Sequence, residues 1–384
     1  MQRTAPTRGR AGFTLVEMLV SVAVLILIMT FVSQMMNSTT VSTSLSDKHG
    51  DSDNQARLVF DRMAEDFGSM PHRTDVDFIF TKQPDPSQPA TSGSSDKMFF
   101  YSETPGFYSN SGTSNAPVAL VGYSIYSGTS SSWFPNYSLL RLSKGLSWDG
   151  LPGSSSPGGM VYLTSPGPGS TPYPASSLPS FFNGPIGTSP SYSGTDLTDY
   201  DVLSSDVLRM EFCFQVKDLT NPNSPGTAYS NYPIAHFTNG AGVVNTGTAS
   251  QYQPSNPNSG DRWYDTVNNR AYICTTGSLS GSAAPGTPVW TPNGMSDVTA
   301  VIVAIASLDA KSRKIVPNQI ASIAGSLADP TEAQLSGTNL TLMADSWENA
   351  VNSTTTSFAA NAGIPQSVVA QIRIYQRFFY LNNF

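Results

Sequence analysis

One carboxylate, Glu17, interrupts the apolar run FTLVEMLVSVAVLILIMTFV, Phe13 to Val32. Twenty helical residues at about 1.5 Å each reach roughly 30 Å, the hydrocarbon thickness of a bilayer. A carboxylate inside such a span is costly unless a cation meets it, so Glu17 calls for a partner. Other residues open other chemistry. Cys213 and Cys274 are an even pair of the kind an oxidising compartment tends to close, provided their Cα atoms come within about 7 Å; sequence leaves that bridge open. Asp196, Asp199, Asp201 and Asp206 offer hard oxygen donors. Their spacing fits no EF-hand loop, and a solvated acidic loop is the simpler reading. Trp263, Tyr264, Tyr272 and Trp290 are suited either to stacking on sugar rings or to filling a small core of their own. His49, His72 and His236 fall in unrelated segments. No zinc spacing, phosphate loop or nucleophile elbow accompanies them. The chain reads as a non-enzyme with no cofactor and no bound metal.

The string Gly12, Phe13, Thr14, Leu15, Val16, Glu17 follows a short basic leader, MQRTAPTRGRAG. It resembles the processing site of type IV pilins and type II secretion pseudopilins. In that family a membrane aspartyl peptidase, the prepilin peptidase, cuts after the glycine, and the new N-terminal residue is N-methylated. The resemblance implies that Gly12 is the cleavage residue, Phe13 the mature N-terminus and Glu17 the pin that sets register between stacked helices. It also implies the partners: the prepilin peptidase, other pilin-like subunits and a bacterial inner membrane. The residue types make physical sense. A glycine lets the backbone approach a catalytic dyad closely. A carboxylate four residues on lies one helical turn away, within reach of an α-ammonium on its own chain or a neighbour's. A secretory signal peptide would hold no glutamate in its apolar core and would end in a small-x-small site, which Ser33-Gln34-Met35-Met36 does not supply. An uncleaved anchor with Glu17 snorkelling towards the headgroups remains open. Arg3, Arg8 and Arg10 precede the span and keep that end cytoplasmic, which sends the remainder to the periplasm.

These features need a scaffold, and the pattern after the span describes one. Residues 1–12 form the leader, 13–36 the transmembrane helix, 37–70 an amphipathic helical stalk and 71–384 a periplasmic β-rich domain. In the stalk Val59, Met63, Phe67 and Met70, widened by Ala56 and Phe60, recur at helical spacing, and Pro71 ends the run. Gly50 and the nearby serines leave a kink or break near 46–53 open. Strands are predicted at Lys97–Tyr101, Val118–Tyr126, Tyr137–Lys144, Val207–Lys217, Val298–Ile305 and Val368–Leu381. In Val207–Lys217, Leu208, Met210, Phe212, Phe214 and Val216 share one face; Arg209, Glu211, Cys213, Gln215 and Lys217 share the other, facing solvent or a second layer. That polar face would leave Cys213 accessible. Val298–Ile305 is apolar on both sides and reads as doubly covered. Thr331–Leu335 and Leu342–Val351 suit short surface helices.

The fold class is therefore α+β, a long N-terminal helix followed by an antiparallel β-sheet domain with long Gly/Pro/Ser-rich loops, pilin-like in layout. Insertions are expected at about 145–200 and 219–296, the first a surface loop with no assigned partner. In the second, Trp263 and Tyr264 pair with Tyr272 to Cys274 as a hairpin that Trp290 closes. The order of elements resembles J-type minor pseudopilins. DVLRMEF (206–212) and VIVAIASLD (301–309) look like the pilin-like members of the Verru_Chthon cassette families, protein C in particular. Composition agrees. Charged residues are only 12% and Gly and Pro number 31 and 28, which suits an exported, turn-rich chain. A net charge of −7 argues against a nucleic-acid partner.

Overall fold

The computed structural model describes residues 14–74, 76, 78–82, 95–107, 115–116, 118–126, 134–135, 137–145, 200–220, 226–238, 244–245, 249–250, 257–266, 270–276, 289–336, 340–353 and 358–381. Gly12, Phe13, Asp196, Asp199 and residues 146–199 lie outside them. The chain divides into two units, Met1–Asp53 and Asn54–Phe384, to which helix α1 (Leu15–Gly68) contributes in turn.

In the first unit, Leu15–Thr40 is long and apolar enough to cross a membrane, and its side chains are exposed. Several hydroxyls along it bond back to carbonyls of the same helix. Ser21 Oγ donates to Glu17 O at 2.6 Å and Thr30 Oγ1 to Leu27 O at 2.7 Å, with Thr39, Thr40 and Thr43 doing the same further on. Such internal bonding is what a helix surrounded by lipid requires. Residues 46–53 are helical throughout, Gly50 included.

In the second unit, Ala56, Val59, Phe60, Met63 and Phe67 of α1, with Met70 just beyond it, are buried, as their spacing predicts. The chain then builds three sheets in sequence. The first holds β1 (Phe78–Thr81), β2 (Lys97–Ser102), β3 (Gly106–Phe107), β4 (Asn115–Ala116), β5 (Ala119–Tyr126), β6 (Ser138–Gly145) and β7 (Tyr200–Ser204). Its order is β1-β2-β5-β6-β3-β4, with β7 on β6. The second sheet begins with β8 (Val207–Leu219), β9 (Gly226–Ser230), β10 (His236–Thr238) and β11 (Val244–Asn245). The insertion then contributes a third sheet, β12 (Ala249–Ser250), β13 (Arg262–Asp265), β14 (Arg270–Thr276) and β15 (Val289–Pro292), in that order. Finally β16 (Val298–Leu308) and β17 (Ile372–Tyr380) complete the second sheet as β11-β10-β8-β16-β17, with β9 on β8. Most pairings are antiparallel; β8 with β10, β12 with β13 and β3 with β6 are parallel.

Between β16 and β17 run α2 (Ala310–Ile315), α3 (Ile320–Ser326), α4 (Glu332–Ser336), α5 (Met343–Asn352), α6 (Phe358–Ala362) and α7 (Gln366–Val369). These helices decide how the second sheet is covered. Its one face, Met210, Phe212 and Phe214 with Phe379, meets the first sheet and α1: Phe80 lies edge-on to Phe214 at 5.0 Å, and Phe67 stacks on Phe100 at 4.7 Å and tilts against Phe379 at 5.2 Å. Its other face meets the helices. Arg209 Nη1 donates to Ala324 O, its guanidinium lies 5.5 Å from the Trp347 ring, and Gln376 accepts from Ala344 N. Hence Arg209, Glu211 and Cys213 are buried, and the alternative of solvent for that face does not hold. β16 is covered on both sides along nearly its whole length, as its composition implies. The C-terminal segment is corrected at its start: residues 366–369 form α7 after Pro365, and the strand begins only at Ile372.

Two glycines permit close packing. Gly122 sits opposite Phe99 in the β2–β5 pair, and the Phe99 ring occupies the space a Cβ would need. Gly294 has φ +52°, and a Cβ there would stand 2.3 Å from Arg73 O. The turn after β15 thus presses directly on the segment that follows α1.

Candidate functional site

The residues that can act on the membrane segment are gathered at its first turn. Thr14 precedes α1, and Glu17 occupies its third position. Thr14 N–H donates to Glu17 Oε2 at 2.9 Å and Thr14 Oγ1 donates to the same oxygen at 3.0 Å; Glu17 N–H donates back to Thr14 Oγ1 at 3.3 Å. This reciprocal arrangement is a capping box, the Thr-x-x-Glu form of helix initiation. It satisfies backbone donors that a helix start leaves open and places the carboxylate at the positive end of the helix dipole. Both hydrogen bonds to the carboxylate end on Oε2. Glu17 is thus a shaped acceptor at the head of an exposed 26-residue apolar helix. Gly12 and Phe13, the two residues ahead of Thr14, fall outside the described residues.

Residues 7–33 match the family model described as the prokaryotic N-terminal methylation motif. No curated protein and no solved structure gives a significant match to the chain. The matched stretch takes in Arg8, Arg10, Gly12, Phe13, Thr14 and Glu17 and stops at Ser33. With the apolar helix this motif supports a precursor of pilin or pseudopilin type, the kind that a prepilin peptidase processes, and a helix of this length is consistent with a single-pass anchor.

The second unit holds its part of α1 through a charged clamp that sequence did not disclose. Asp66, fully buried, receives Arg141 Nε at 2.6 Å and Arg141 Nη2 at 2.8 Å, a bidentate pair. Tyr123 OH donates to Asp66 Oδ2 and Thr104 Oγ1 to Oδ1, while Ser102 Oγ donates to Asp66 O at 2.9 Å. Burial, followed by the adjacent carboxylate, raises the Tyr123 phenol well above its ordinary range, so it stays a donor. Near the middle of the same stretch Arg377 of β17 reaches Asp61 at 2.7 Å. Neither interaction resembles a catalytic site. Both fix the helix to strands.

The remaining sequence candidates are placed differently from what a ligand site needs. Trp263, Tyr264, Tyr272 and Trp290 are 5%, 1%, 3% and 7% exposed, which leaves no ring face for a sugar. Trp263 stacks on Tyr272 at 5.4 Å and meets Trp290 edge-on at 5.7 Å; with Cys274 these form a separate small core. Tyr264 turns the other way, into the main core, and its OH donates to Phe80 O. The hairpin and its tryptophan clasp are real, and the glycan reading is withdrawn.

Cys213 and Cys274 are free thiols rather than a bridge. Each is buried in a different apolar cluster, Cys213 in the main core and Cys274 in the small one. Burial pushes the Cys213 thiol up to about 12, which makes it inert as a nucleophile. Asp201 is exposed and Asp206 buried. Among the described residues no group of three or more His, Cys, Asp or Glu is placed to hold a metal. His72 Nε2 lies 2.9 Å from Val298 O, and His236 is buried with its imidazole held below the usual range by that burial.

Proposed function

We propose that the chain is a membrane-anchored pilin-like subunit that enters a type II secretion or type IV pilus-like filament through its N-terminal helix, as a minor component. The observation that carries this reading is the position of Glu17, in the first turn of an exposed apolar helix and four residues after Phe13 of the methylation motif. After cleavage the Phe13 ammonium of one subunit pairs with the Glu17 carboxylate of another. Oε1 takes that contact, while Oε2 stays with Thr14. In lipid such a pair is strongly preferred over two lone charges. The side chains of Leu15 to Val32 supply the packing surface between helices. The leader stays cytoplasmic, the span crosses the inner membrane and the β-rich unit is periplasmic.

Glu17→Ala tests the reading. Cysteine-free chains carrying a crosslinkable residue in the span should give ladders in native membranes when Glu17 is present. The variant should be processed normally yet give only monomer. Ladders of wild-type intensity from Glu17→Ala would overturn the pairing.

A further inference from the structure

The helices between β16 and β17 present two exposed faces of opposite charge. On α2, Lys311, Lys314 and Ile315 share one exposed stripe, while Ser312 and Val316 turn inward. Neither lysine enters an ion pair among the described residues, in contrast to Arg141, Arg209, Arg262 and Arg377, each of which holds a carboxylate. On α5, Asp345 and Glu348 recur at the same spacing as the two lysines, exposed, with Met343 and Trp347 buried behind them. Asp345 accepts the Leu342 N–H at 3.3 Å, and neither carboxylate meets a cation among the described residues. Each face also has an exposed aliphatic at its edge, Ile315 at 60% and Leu340, just ahead of α5, at 41%.

Within one copy the two faces stay apart. Arg313 ties α2 towards the first sheet, its Nη2 donating to Tyr137 O at 2.7 Å just before β6. α5 lies on the opposite side of the second sheet, where Ala344 N donates to Gln376 and Trp347 covers Arg209. A cationic face lacking a carboxylate and an acidic face lacking a cation, matched in spacing and each flanked by an aliphatic, fit each other across two copies. An anionic lipid surface fits α2 less well. Lipid-binding basic clusters use about four to eight Lys or Arg, and this face offers Lys311 and Lys314 on a chain of net charge −7.

We propose that α2 of one copy docks on α5 of a second copy, with Lys311 and Lys314 against Asp345 and Glu348 and Ile315 beside Leu340. The contact joins two different patches, so it runs head to tail and leaves each end of a pair open to a further copy. It goes beyond the reading of the N-terminal helix and does not need it, because both faces belong to the second unit. Complementary charge at an exposed contact acts on partner choice and register more than on strength. The contact therefore orients copies that the membrane already concentrates.

Zero-length crosslinking reads the contact directly. Full-length chain with ordinary nitrogen and an equal amount with heavy nitrogen are placed together in phosphatidylcholine vesicles and treated with a carbodiimide, which couples a lysine amine to a carboxylate beside it. Mass spectrometry should find α2 peptides joined to α5 peptides with mixed isotopes, the mark of two copies. Their yield should fall at least about tenfold in the variant Lys311→Glu with Lys314→Glu, where like charges face each other. Mixing that variant with Asp345→Lys, Glu348→Lys should restore it, which also shows that both variants are folded. Glu17→Ala should keep the mixed crosslink, so that failure of the helix pairing and failure of this contact are told apart. Joined peptides of a single isotope only, a yield unmoved by the reversals, no recovery on mixing, or loss in Glu17→Ala would overturn the proposal. So would a lysine-dependent preference for phosphatidylglycerol vesicles in place of the mixed crosslink, which would assign the α2 face to lipid.

Discussion

Replacing Asp66 by alanine is the sharpest test of how the second unit grips its helix. Asp66 is fully buried and Arg141 is 4% exposed, so water reaches neither charge. The carboxylate receives two guanidinium hydrogen bonds, a phenol and a threonine hydroxyl. Removing one partner of such a pair leaves the other charge buried and uncompensated, which costs about 3–5 kcal/mol. A typical domain has only about 5–15 kcal/mol in total, so this variant should unfold at markedly lower urea. Replacing both partners by apolar residues of similar volume, Asp66→Leu with Arg141→Met, should recover most of the loss, because the orphaned charge disappears with its partner. The assay is urea unfolding of the full chain in detergent micelles for wild type, each single variant and the double. The account expects a coupling energy of at least about 2 kcal/mol. A single variant that costs under about 1 kcal/mol, or a double variant as unstable as the sum of the singles, would refute the clamp.

Gly294→Ala should cost more than Gly363→Ala in thermal unfolding. Both glycines have positive φ, but only the Gly294 Cβ would meet backbone, at Arg73 O. The Gly363 change should show the conformational part alone, about 1–2 kcal/mol, and equal losses at the two sites would contradict the packing described. At the membrane end, Thr14→Val removes the hydroxyl of the capping box while keeping the shape. Loss of a cap is worth about fivefold in local opening, so amides in the first turn should exchange about that much faster in micelles; unchanged exchange would mean the cap is not used.

Local signals in this chain were legible and remote ones were not. The stripe Val59, Met63, Phe67 and Met70 reads as helix because its partners are set by spacing alone, and all four are buried. The alternation of Val207–Lys217 likewise gave the strand, yet period two says nothing about what covers the second face. That face is closed by α3 and α5, more than a hundred residues later in the chain. The role of Asp66 has no local signal, because its partner Arg141 lies 75 positions away on β6. Residues 366–369 misled for a different reason. Two valines favour a strand, but Pro365 sits at the start of a helical turn and its fixed φ favours that turn. The aromatic hairpin was readable as a hairpin, and its burial followed from size: Trp263, Tyr272 and Trp290 pack with Cys274 as a small core of their own. The capping box is present in the letters Thr14-x-x-Glu17, a local signal at the start of the apolar run.

The central claim is that this chain is a precursor whose working form begins at Phe13 and is built into an assembly by its first helix. Intact-mass spectrometry of the protein extracted from its native membrane tests that directly. The account predicts a chain lacking Met1 to Gly12 and carrying one extra methyl group on the Phe13 amine. A chain that retains Met1 with the leader attached would contradict it.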